Sequence, residues 1–295
     1  MEWFGRLVRD IASLRVQGAE AIARAGVRGV ARLSREGGDV VAGARRLLAA
    51  RPTEPMLQNA VAYLLAHRAI TPLPVLARRL LILFDEARER IAESAAGLVR
   101  SRKVYATHCH SSTVVAAFLL AEREGKEFLV RNTETRPLFQ GRKTARELSA
   151  RGVPVEHHVD SCFLLALEGC AGVFLGADAI LSEGSVVNKV GSGVIARLAA
   201  ERGVPVYVLA SSWKYAGKDP ASFRDELEER SPSEVWPGAP RGVMVRNPAF
   251  ELVERRFITA LVTELGIHDP PSAARLIRDR RKKGLLDEKT EKRGY

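Results

Sequence analysis

The sequence of 295 residues is poor in cysteine and aromatic residues, and it contains no apolar run long enough to span a membrane. Its three cysteines are too few for a disulfide framework, although a bond between Cys162 and Cys170 stays open. The first residues, MEWFGRLVRD, lack the apolar segment of a signal peptide. These absences predict a cytoplasmic protein that does not contact the membrane.

Several short motifs are absent as well. No GxGxxG follows the first apolar run of the second half and no GxxxxGK occurs, so dinucleotide and P-loop sites lose their usual support. CxxC, HExxH and GxSxG are also missing, which argues against a zinc site and against a serine hydrolase. We therefore expect neither a metal nor an organic cofactor.

Positive charge is in excess, with a formal net charge of +11. Many of the basic residues lie near the two ends, in residues 1–50 and 275–295. A basic chain favours anionic partners such as nucleic acid or phosphorylated metabolites. Because aromatic residues make up only 6% and bases stack on aromatic side chains, nucleic acid is the less favoured partner. A solvated, salt-bridged surface remains the simpler alternative.

The periodicity of apolar residues changes near residue 100. Before it, apolar residues recur every three or four positions, which predicts four or five helices in a bundle over residues 1–100. Over residues 101–295, short apolar runs alternate with amphipathic stretches, which predicts a doubly wound, Rossmann-like parallel sheet. The predicted strands are KVYATHC, EFLVRN, PVEHHV, GVFLGA, PVYVLA, GVMVRN and ITALVTE. Ligands of such sheets bind beyond the carboxyl ends of the strands.

The loop THCHSST follows the first predicted strand and combines a cysteine with three hydroxyl side chains. If Ser111, Ser112 and Thr113 open a helix, their hydroxyls and amides form a phosphate-binding nest. The positive helix end would also lower the pKa of Cys109 and make it a usable base. Asp178 follows another apolar run, where burial would raise its pKa. A base and an acid suit an isomerase, although a buried unreactive thiol and a capping aspartate stay open.

Two histidines flank the cysteine. In an extended chain, His108 and His110 point to the face opposite Cys109, so three adjacent ligands on one ion are awkward. We therefore expect the histidines to pack or to orient the loop, without a role in proton transfer or metal binding.

Six motifs occur in order in the second half: THCHSST, TETRPLFQGRKTA, GVPVEHHVDS, GADAILSEGSVVNKVGS, PVYVLASSWKY, and NPAF followed by LVTELGI. Together they resemble the superfamily of the regulatory subunits of translation initiation factor 2B. That superfamily also contains methylthioribose-1-phosphate isomerase and the archaeal ribose-1,5-bisphosphate isomerase. The resemblance covers about residues 10–280 and is most specific over residues 107–215.

The isomerases of this family carry a cysteine in the first motif as proton acceptor and an aspartate in GAD as proton donor, whereas the regulatory subunits usually lack the pair. The resemblance implies these roles for Cys109 and Asp178. It also implies substrate contacts at Gln17, Gly18, Ala19, Glu20, Arg51, Ser111, Ser112, Thr113, Asn188, Lys189 and Lys214. The family's RGAG turn reads QGAE here, and a glutamate at that place would repel a bisphosphate.

The resemblance implies an aldose–ketose isomerase of a ribose 1-phosphate ester, most concretely ribose 1,5-bisphosphate to ribulose 1,5-bisphosphate in archaeal nucleotide (AMP) degradation. It further implies a homo-oligomer, as a dimer or a trimer of dimers, and a nucleotide such as AMP as an activator. Two alternatives remain open. One is a translation-factor homologue without turnover, and the other is an isomerase of methylthioribose 1-phosphate or a similar ester whose 5-position is uncharged.

Overall fold

A computed structural model describes residues 1–224 and 227–284. The end of the basic C-terminal stretch, from residue 285 onward, lies outside the described residues. The chain begins with the predicted helices, which are α1 (Glu2–Ala12), α2 (Ala19–Arg35), α3 (Val40–Ala50), α4 (Pro55–His67) and α5 (Leu73–Ala96).

Local sequence sets the limits of these helices. Asp39 precedes α3, and its carboxylate accepts hydrogen bonds from the amides of Val41 and Ala42, both at 3.0 Å. α4 begins at Pro55 and α5 follows Pro72, where the fixed φ of proline suits a helix start. The apolar faces meet in one buried cluster that includes Phe4, Ile22, Leu57, Leu80, Phe84 and, from the second half of the chain, Trp213.

The second half contains the strands β1 (Lys103–Thr107), β2 (Phe128–Thr133), β3 (Val155–His158), β4 (Cys170–Leu175), β5 (Ala179–Ile180), β6 (Val186–Lys189), β7 (Val206–Leu209), β8 (Phe250–Val253), β9 (Ala260–Thr263) and β10 (Gly266–His268). Within the described residues, seven of them form one sheet in the order β10-β9-β7-β4-β1-β2-β3. Its neighbouring strands are parallel except β9 and β10. The loops after β1, β2, β3, β4 and β7 therefore meet at one edge.

A second, antiparallel sheet in the order β5-β6-β8 was not predicted. The prediction that GVMVRN (residues 242–247) is a strand is wrong, because the strand in this part of the chain, β8, begins only at Phe250. Val243 and Met244 are 47% and 84% exposed, so this apolar run has no core in which to bury its side chains.

Helices cover both faces of the large sheet: α6 (Ser112–Arg123), α7 (Gln140–Ser149), α8 (Phe163–Ala166), α9 (Ser192–Glu201), α10 (Pro220–Arg224) and α11 (Pro270–Lys282). One buried cluster joins Tyr105 of β1 to Phe118 of α6 and Ile91 of α5, and another joins Ile195 of α9 to Ile277 of α11. The predicted fold class, a helical N-terminal region and a mostly parallel α/β sheet, is confirmed. Because α5 packs in both the helical cluster and a sheet cluster, the division into domains at residue 100 stays a prediction.

All three cysteines are free thiols, so the bond between Cys162 and Cys170 that the sequence left open does not form. The Cys170 thiol instead donates to the carbonyl of Ala166, with 3.0 Å between sulfur and oxygen. Among the described residues, no helix combines the length and the apolar character that crossing a membrane requires.

Candidate active site

A pocket lies between the carboxyl edge of the large sheet and the N-terminal helices. Of the residues proposed from sequence, those that line it are Gln17, Gly18, Ala19, Glu20, Arg51, Cys109, Ser111, Ser112, Asp178, Asn188, Lys189 and Lys214. Thr113 does not line the pocket and is only 5% exposed. Ser112 and Thr113 are successive residues of α6, and successive side chains of a helix point about 100° apart, so these two hydroxyls cannot both face one ligand. Thr113 is therefore removed from the predicted contacts.

Cys109 is held in a tight turn directly after β1. Its backbone is left-handed, with φ of 67°, and two threonines from the neighbouring loop and helix fix it. The amide of Cys109 donates to Thr135 Oγ1 at 3.0 Å, and its carbonyl accepts from Thr144 Oγ1 at 2.9 Å. Asp160, which follows β3, accepts from the amide of Thr135 at 2.8 Å. Three adjacent strand ends thus position one thiol.

The environment of Cys109 corrects the prediction about its pKa. Burial raises the pKa of the Cys109 thiol to about 11, while the charge of Lys189 acts in the opposite direction. The helix that follows was expected to lower this pKa, but the loss of hydration outweighs that effect. Cys109 lines the pocket, and the residue as a whole is partly exposed. At neutral pH Cys109 is therefore a thiol, with roughly one thiolate in ten thousand.

Asp178 lies beyond the end of β4, the strand next to β1. Its amide donates to the carbonyl of Val187 at 2.8 Å, which ties it to β6. Burial raises the pKa of the Asp178 carboxyl, in the direction that the sequence predicts, whereas the charges of Lys214, Lys189 and Arg51 lower it. A carboxyl group that keeps its proton can act as a general acid.

One end of the pocket is built to hold an anion. Helix α6 starts there, with Ser111 as its N-cap and Ser112 in its first turn, and α7 starts nearby at Gln140. Lys143 lines the same end. A Cβ atom on Gly176 would lie 2.8 Å from the Cβ of Ser111, so only glycine lets the end of β4 approach this loop. Two helix N-termini and a lysine suit a phosphate group.

The remaining predicted contacts lie between this end and the helices. Lys214 donates from Nζ to the carbonyl of Ala177 at 2.7 Å, next to Asp178. Asn188 donates from Nδ2 to Ser192 Oγ at 2.8 Å. Both side chains also line the pocket, so each is fixed in position before any ligand arrives.

The two histidines beside Cys109 brace the loop, as the sequence predicts. His108 Nε2 donates to the carbonyl of Val190 at 2.8 Å, so Nδ1 accepts from Thr133 Oγ1 at 2.6 Å. His110 Nδ1 lies 3.1 Å from Thr144 Oγ1. Burial lowers the pKa of both imidazoles, which keeps them neutral. In the part of the chain that the structure describes, no cluster of three metal-ligating side chains occurs.

The helical wall of the pocket differs from the expected one at the turn before α2. Gly18 has φ of 92° and caps the helix, and Glu20 occupies its first turn. Glu20 Oε1 accepts from Arg24 Nε at 2.7 Å and from Arg88 Nη1 at 3.3 Å. A carboxylate of the protein therefore sits where this helix end would otherwise attract an anion.

Glu54 is a pocket residue that sequence reasoning missed, because the resemblance assigned only Arg51 in this segment to the substrate. It is 2% exposed, and its Oε1 accepts from Arg51 Nη2 at 3.0 Å. Arg51 also donates from Nη1 to Glu228 Oε2 at 2.7 Å. The sequence did contain a signal for Glu54, because an acidic residue three positions after Arg51 can pair with an arginine that the resemblance assigns to the substrate.

The Initiation factor 2 subunit family matches residues 15–270. A ribose 1,5-bisphosphate isomerase of Thermococcus kodakarensis is 33% identical over 253 residues, which are 80% of this chain and 79% of that protein. A methylthioribose-1-phosphate isomerase of Symbiobacterium thermophilum is 35% identical over 253 residues, covering 76% of this chain and 70% of that protein.

The fold is also similar to that of a solved translation initiation factor eIF-2B from Pyrococcus horikoshii OT3. The TM-score is 0.82 and the identity 27%, over 93% of this chain and 99% of the other. Because the family match and both curated relatives cover most of its length, this protein belongs to the Initiation factor 2 subunit family.

Proposed function

We propose that this protein is an aldose–ketose isomerase of a ribose 1-phosphate ester, with Cys109 as the base and Asp178 as the acid. One observation carries the proposal. The two side chains line one pocket from the ends of the adjacent parallel strands β1 and β4, and the end of that pocket beside Cys109 suits a phosphate. The presence of Asp178 raises the pKa of Cys109, so the two groups are close enough to interact.

The reaction needs both groups because a phosphate on C1 prevents spontaneous ring opening. Asp178 donates its proton to the ring oxygen and the bond between that oxygen and C1 breaks. Cys109, as thiolate, removes the proton from C2 and leaves a double bond between C1 and C2. Cys109 then returns a proton to C1, and the C2 hydroxyl becomes the ketone as its proton restores Asp178. Only a minority of the molecules hold Cys109 as a thiolate and Asp178 as a carboxylic acid at the same time. Lys189 enlarges this minority because its charge lowers the pKa of Cys109.

The prediction of a sugar-phosphate isomerase is confirmed by the names of the relatives. Ribose 1,5-bisphosphate is the first substrate to test, because the Thermococcus kodakarensis relative is named as an isomerase of this compound. A second candidate is a ribose 1-phosphate ester with an uncharged 5-position. The Symbiobacterium relative is named for such an ester, whereas Glu20 at the α2 turn is already paired with Arg24 and Arg88 and favours neither ester.

A function in translation without turnover is the remaining alternative, which the eIF-2B structure keeps open. The Cys109–Asp178 pair argues against it, since binding alone requires neither a base nor an acid. Tight RNA or protein binding without any effect of sugar phosphates on the melting temperature would favour this alternative.

The finer parts of the proposal concern the setting of the enzyme. We also propose a cytoplasmic location, a homo-oligomer, activation by a nucleotide such as AMP, and a place in archaeal AMP degradation, the last three of which the resemblance implies. Size-exclusion chromatography with light scattering, and initial rates with and without AMP, test the second and third of these.

The decisive experiment is incubation of the purified protein with a panel of ribose 1-phosphate esters. Nuclear magnetic resonance follows the loss of the aldose and the appearance of the ketose. In deuterated water the product should carry deuterium at C1 whenever the proton on Cys109 exchanges with solvent before it is returned. No ketose from any ester of the panel would contradict the proposed function.

A further inference from the structure

The buried carboxylate of Glu54 has one oxygen that is not satisfied by the protein. Oε1 is bonded to Arg51, whereas Oε2 has no hydrogen-bond partner among the described residues. Buried acceptors are nearly always paired, because an unpaired one loses its hydration without compensation. Since Glu54 lines the pocket, a hydrogen-bond donor on the ligand is the natural partner for this oxygen.

The charge around Arg51 is already neutralised. Its guanidinium binds Glu54 at 3.0 Å and Glu228 at 2.7 Å, and the Arg51 side chain is only 5% exposed. Two carboxylates thus share this arginine, although Glu228 also binds Arg230 at 3.2 Å. Two of the three guanidinium nitrogens of Arg51 therefore already bind carboxylates, and the buried Nε has no partner among the described residues.

The pocket therefore has two unlike ends. At the starts of α6 and α7 it offers two helix N-termini and Lys143. Beside α2 and α4 it offers Glu54 and Glu20, together with Arg51 and Lys214, whose charges lower the pKa of Glu54. Glu20 is paired with two arginines, whereas Glu54 keeps a free oxygen. In a poorly hydrated site, a second phosphate near an unpaired carboxylate oxygen is strongly repelled.

We propose that Glu54 is a specificity-determining residue that selects against a second phosphate on the sugar. Its free oxygen accepts a hydrogen bond from a hydroxyl of a pentose monophosphate instead. This inference rests on the proposed function and narrows its substrate class: one phosphate binds at the α6 end, and a neutral, hydrogen-bond-donating part of the sugar lies at the Glu54 end.

The test compares ribose 1-phosphate with ribose 1,5-bisphosphate as substrates of the wild type and of Glu54→Gln. Glutamine keeps an oxygen for Arg51 and removes the charge. We expect the wild type to prefer the monophosphate in kcat/KM, and the variant to raise the bisphosphate-to-monophosphate ratio by at least about tenfold. The matched variant Glu20→Gln removes a carboxylate that is already paired and should change the ratio less than about threefold. An unchanged ratio in Glu54→Gln, or an equal change in both variants, overturns the inference.

The pH dependence of the same ratio supplies a second measurement. Burial and the neighbouring Asp178 raise the pKa of Glu54 to about 7, while Arg51 and Lys214 oppose this rise. The charge on Glu54 therefore appears between about pH 6 and pH 8, and bisphosphate turnover relative to monophosphate should fall over that range in the wild type. In Glu54→Gln this carboxylate is absent, so any remaining fall in the ratio comes from titration of the phosphates of the ligands. That remaining fall is subtracted from the fall measured for the wild type. Parallel profiles for the two proteins contradict the inference.

Failure of the proposed function would be recognised separately. If neither ester is isomerised, the rise in melting temperature on ligand binding replaces kcat/KM. Glu54→Gln should then increase the shift caused by the bisphosphate and leave that caused by the monophosphate nearly unchanged. If the bisphosphate shift does not increase, Glu54 does not select against a second phosphate.

Discussion

The two walls of the pocket differ in how closely they follow the expected isomerase. The sheet wall has every group that the proposed reaction needs, namely the thiol of Cys109, the carboxyl of Asp178 and a helix start suited to phosphate. The helical wall has Glu20 in place of the expected glycine, and it adds Glu54 against Arg51. Under the proposed function, the sheet wall carries out the chemistry and the helical wall selects the ester.

The same contrast appears in the way each wall is held. On the sheet wall, backbone groups and short hydroxyl side chains fix the loops, as Thr135 and Thr144 do for Cys109. On the helical wall, charged side chains neutralise each other, as Glu20 does with Arg24 and Arg88.

The largest expected effect concerns the catalytic pair on the sheet wall. Cys109→Ser and Asp178→Asn should each lower kcat by at least about a hundredfold on an accepted ester, the usual scale for a lost base or acid. Circular dichroism and the melting temperature check that both variants fold. Wild-type rates in both folded variants would disprove the mechanism and leave the sheet wall without a catalytic role.

The second prediction concerns the helical wall and the free energy of unfolding. The pKa of Glu54 is raised from 4.5 to about 7 in the folded state, so the folded protein binds more protons than the unfolded chain between these pH values. Stability should therefore fall as pH rises from about 5 to 7.5. In Glu54→Gln this fall should be smaller by roughly 2 kcal/mol, measured by urea unfolding at both pH values. Identical pH dependence of stability in the two proteins would show that folding does not raise the pKa of Glu54.

The third prediction concerns the reactivity of Cys109. Because burial raises its pKa to about 11, alkylation by iodoacetamide should accelerate by about tenfold for each pH unit from 8 to 10. Lys189→Gln removes the charge that lowers this pKa and should slow the alkylation by up to about tenfold at a fixed pH. Peptide mass spectrometry separates Cys109 from Cys162. A rate that is already constant above pH 8 would mean that the helix end, and not burial, controls the thiol.

Most of the fold was predictable because its signals are periodic. The spacing of apolar residues predicted α2 and α5, and short apolar runs predicted six strands of the large sheet: β1, β2, β3, β4, β7 and β9. The sheet of β5, β6 and β8 was missed, since strands of two to four residues carry no periodicity. For the same reason GVMVRN was mistaken for a strand, although no core receives it.

The site was predictable where a residue acts alone and unpredictable where its state depends on its neighbours. Asp178 and Lys214 line the pocket as expected. The direction of the pKa shift of Cys109, the occupied nitrogens of Arg51 and the free oxygen of Glu54 depend on contacts between residues far apart in sequence. The resemblance to the family predicted which residues line the site, but it did not predict the hydrogen bonds and charges that surround them in this chain.

The smallest expected effect separates two neighbouring hydroxyls that the sequence treats alike. Ser112 lines the phosphate end of the pocket in the first turn of α6, whereas Thr113 is buried beside it and faces away. Ser112→Ala should raise KM by a few-fold, the usual cost of one hydrogen bond to a charged group, with little change in kcat. Thr113→Val keeps the β-branched shape of the side chain and removes only the hydroxyl, so KM should stay unchanged within about twofold. Initial rates over a range of ester concentrations measure both. A larger rise in KM for Thr113→Val than for Ser112→Ala would mean that the helix presents its other face to the phosphate, and the anion site at the α6 N-terminus would have to be redrawn.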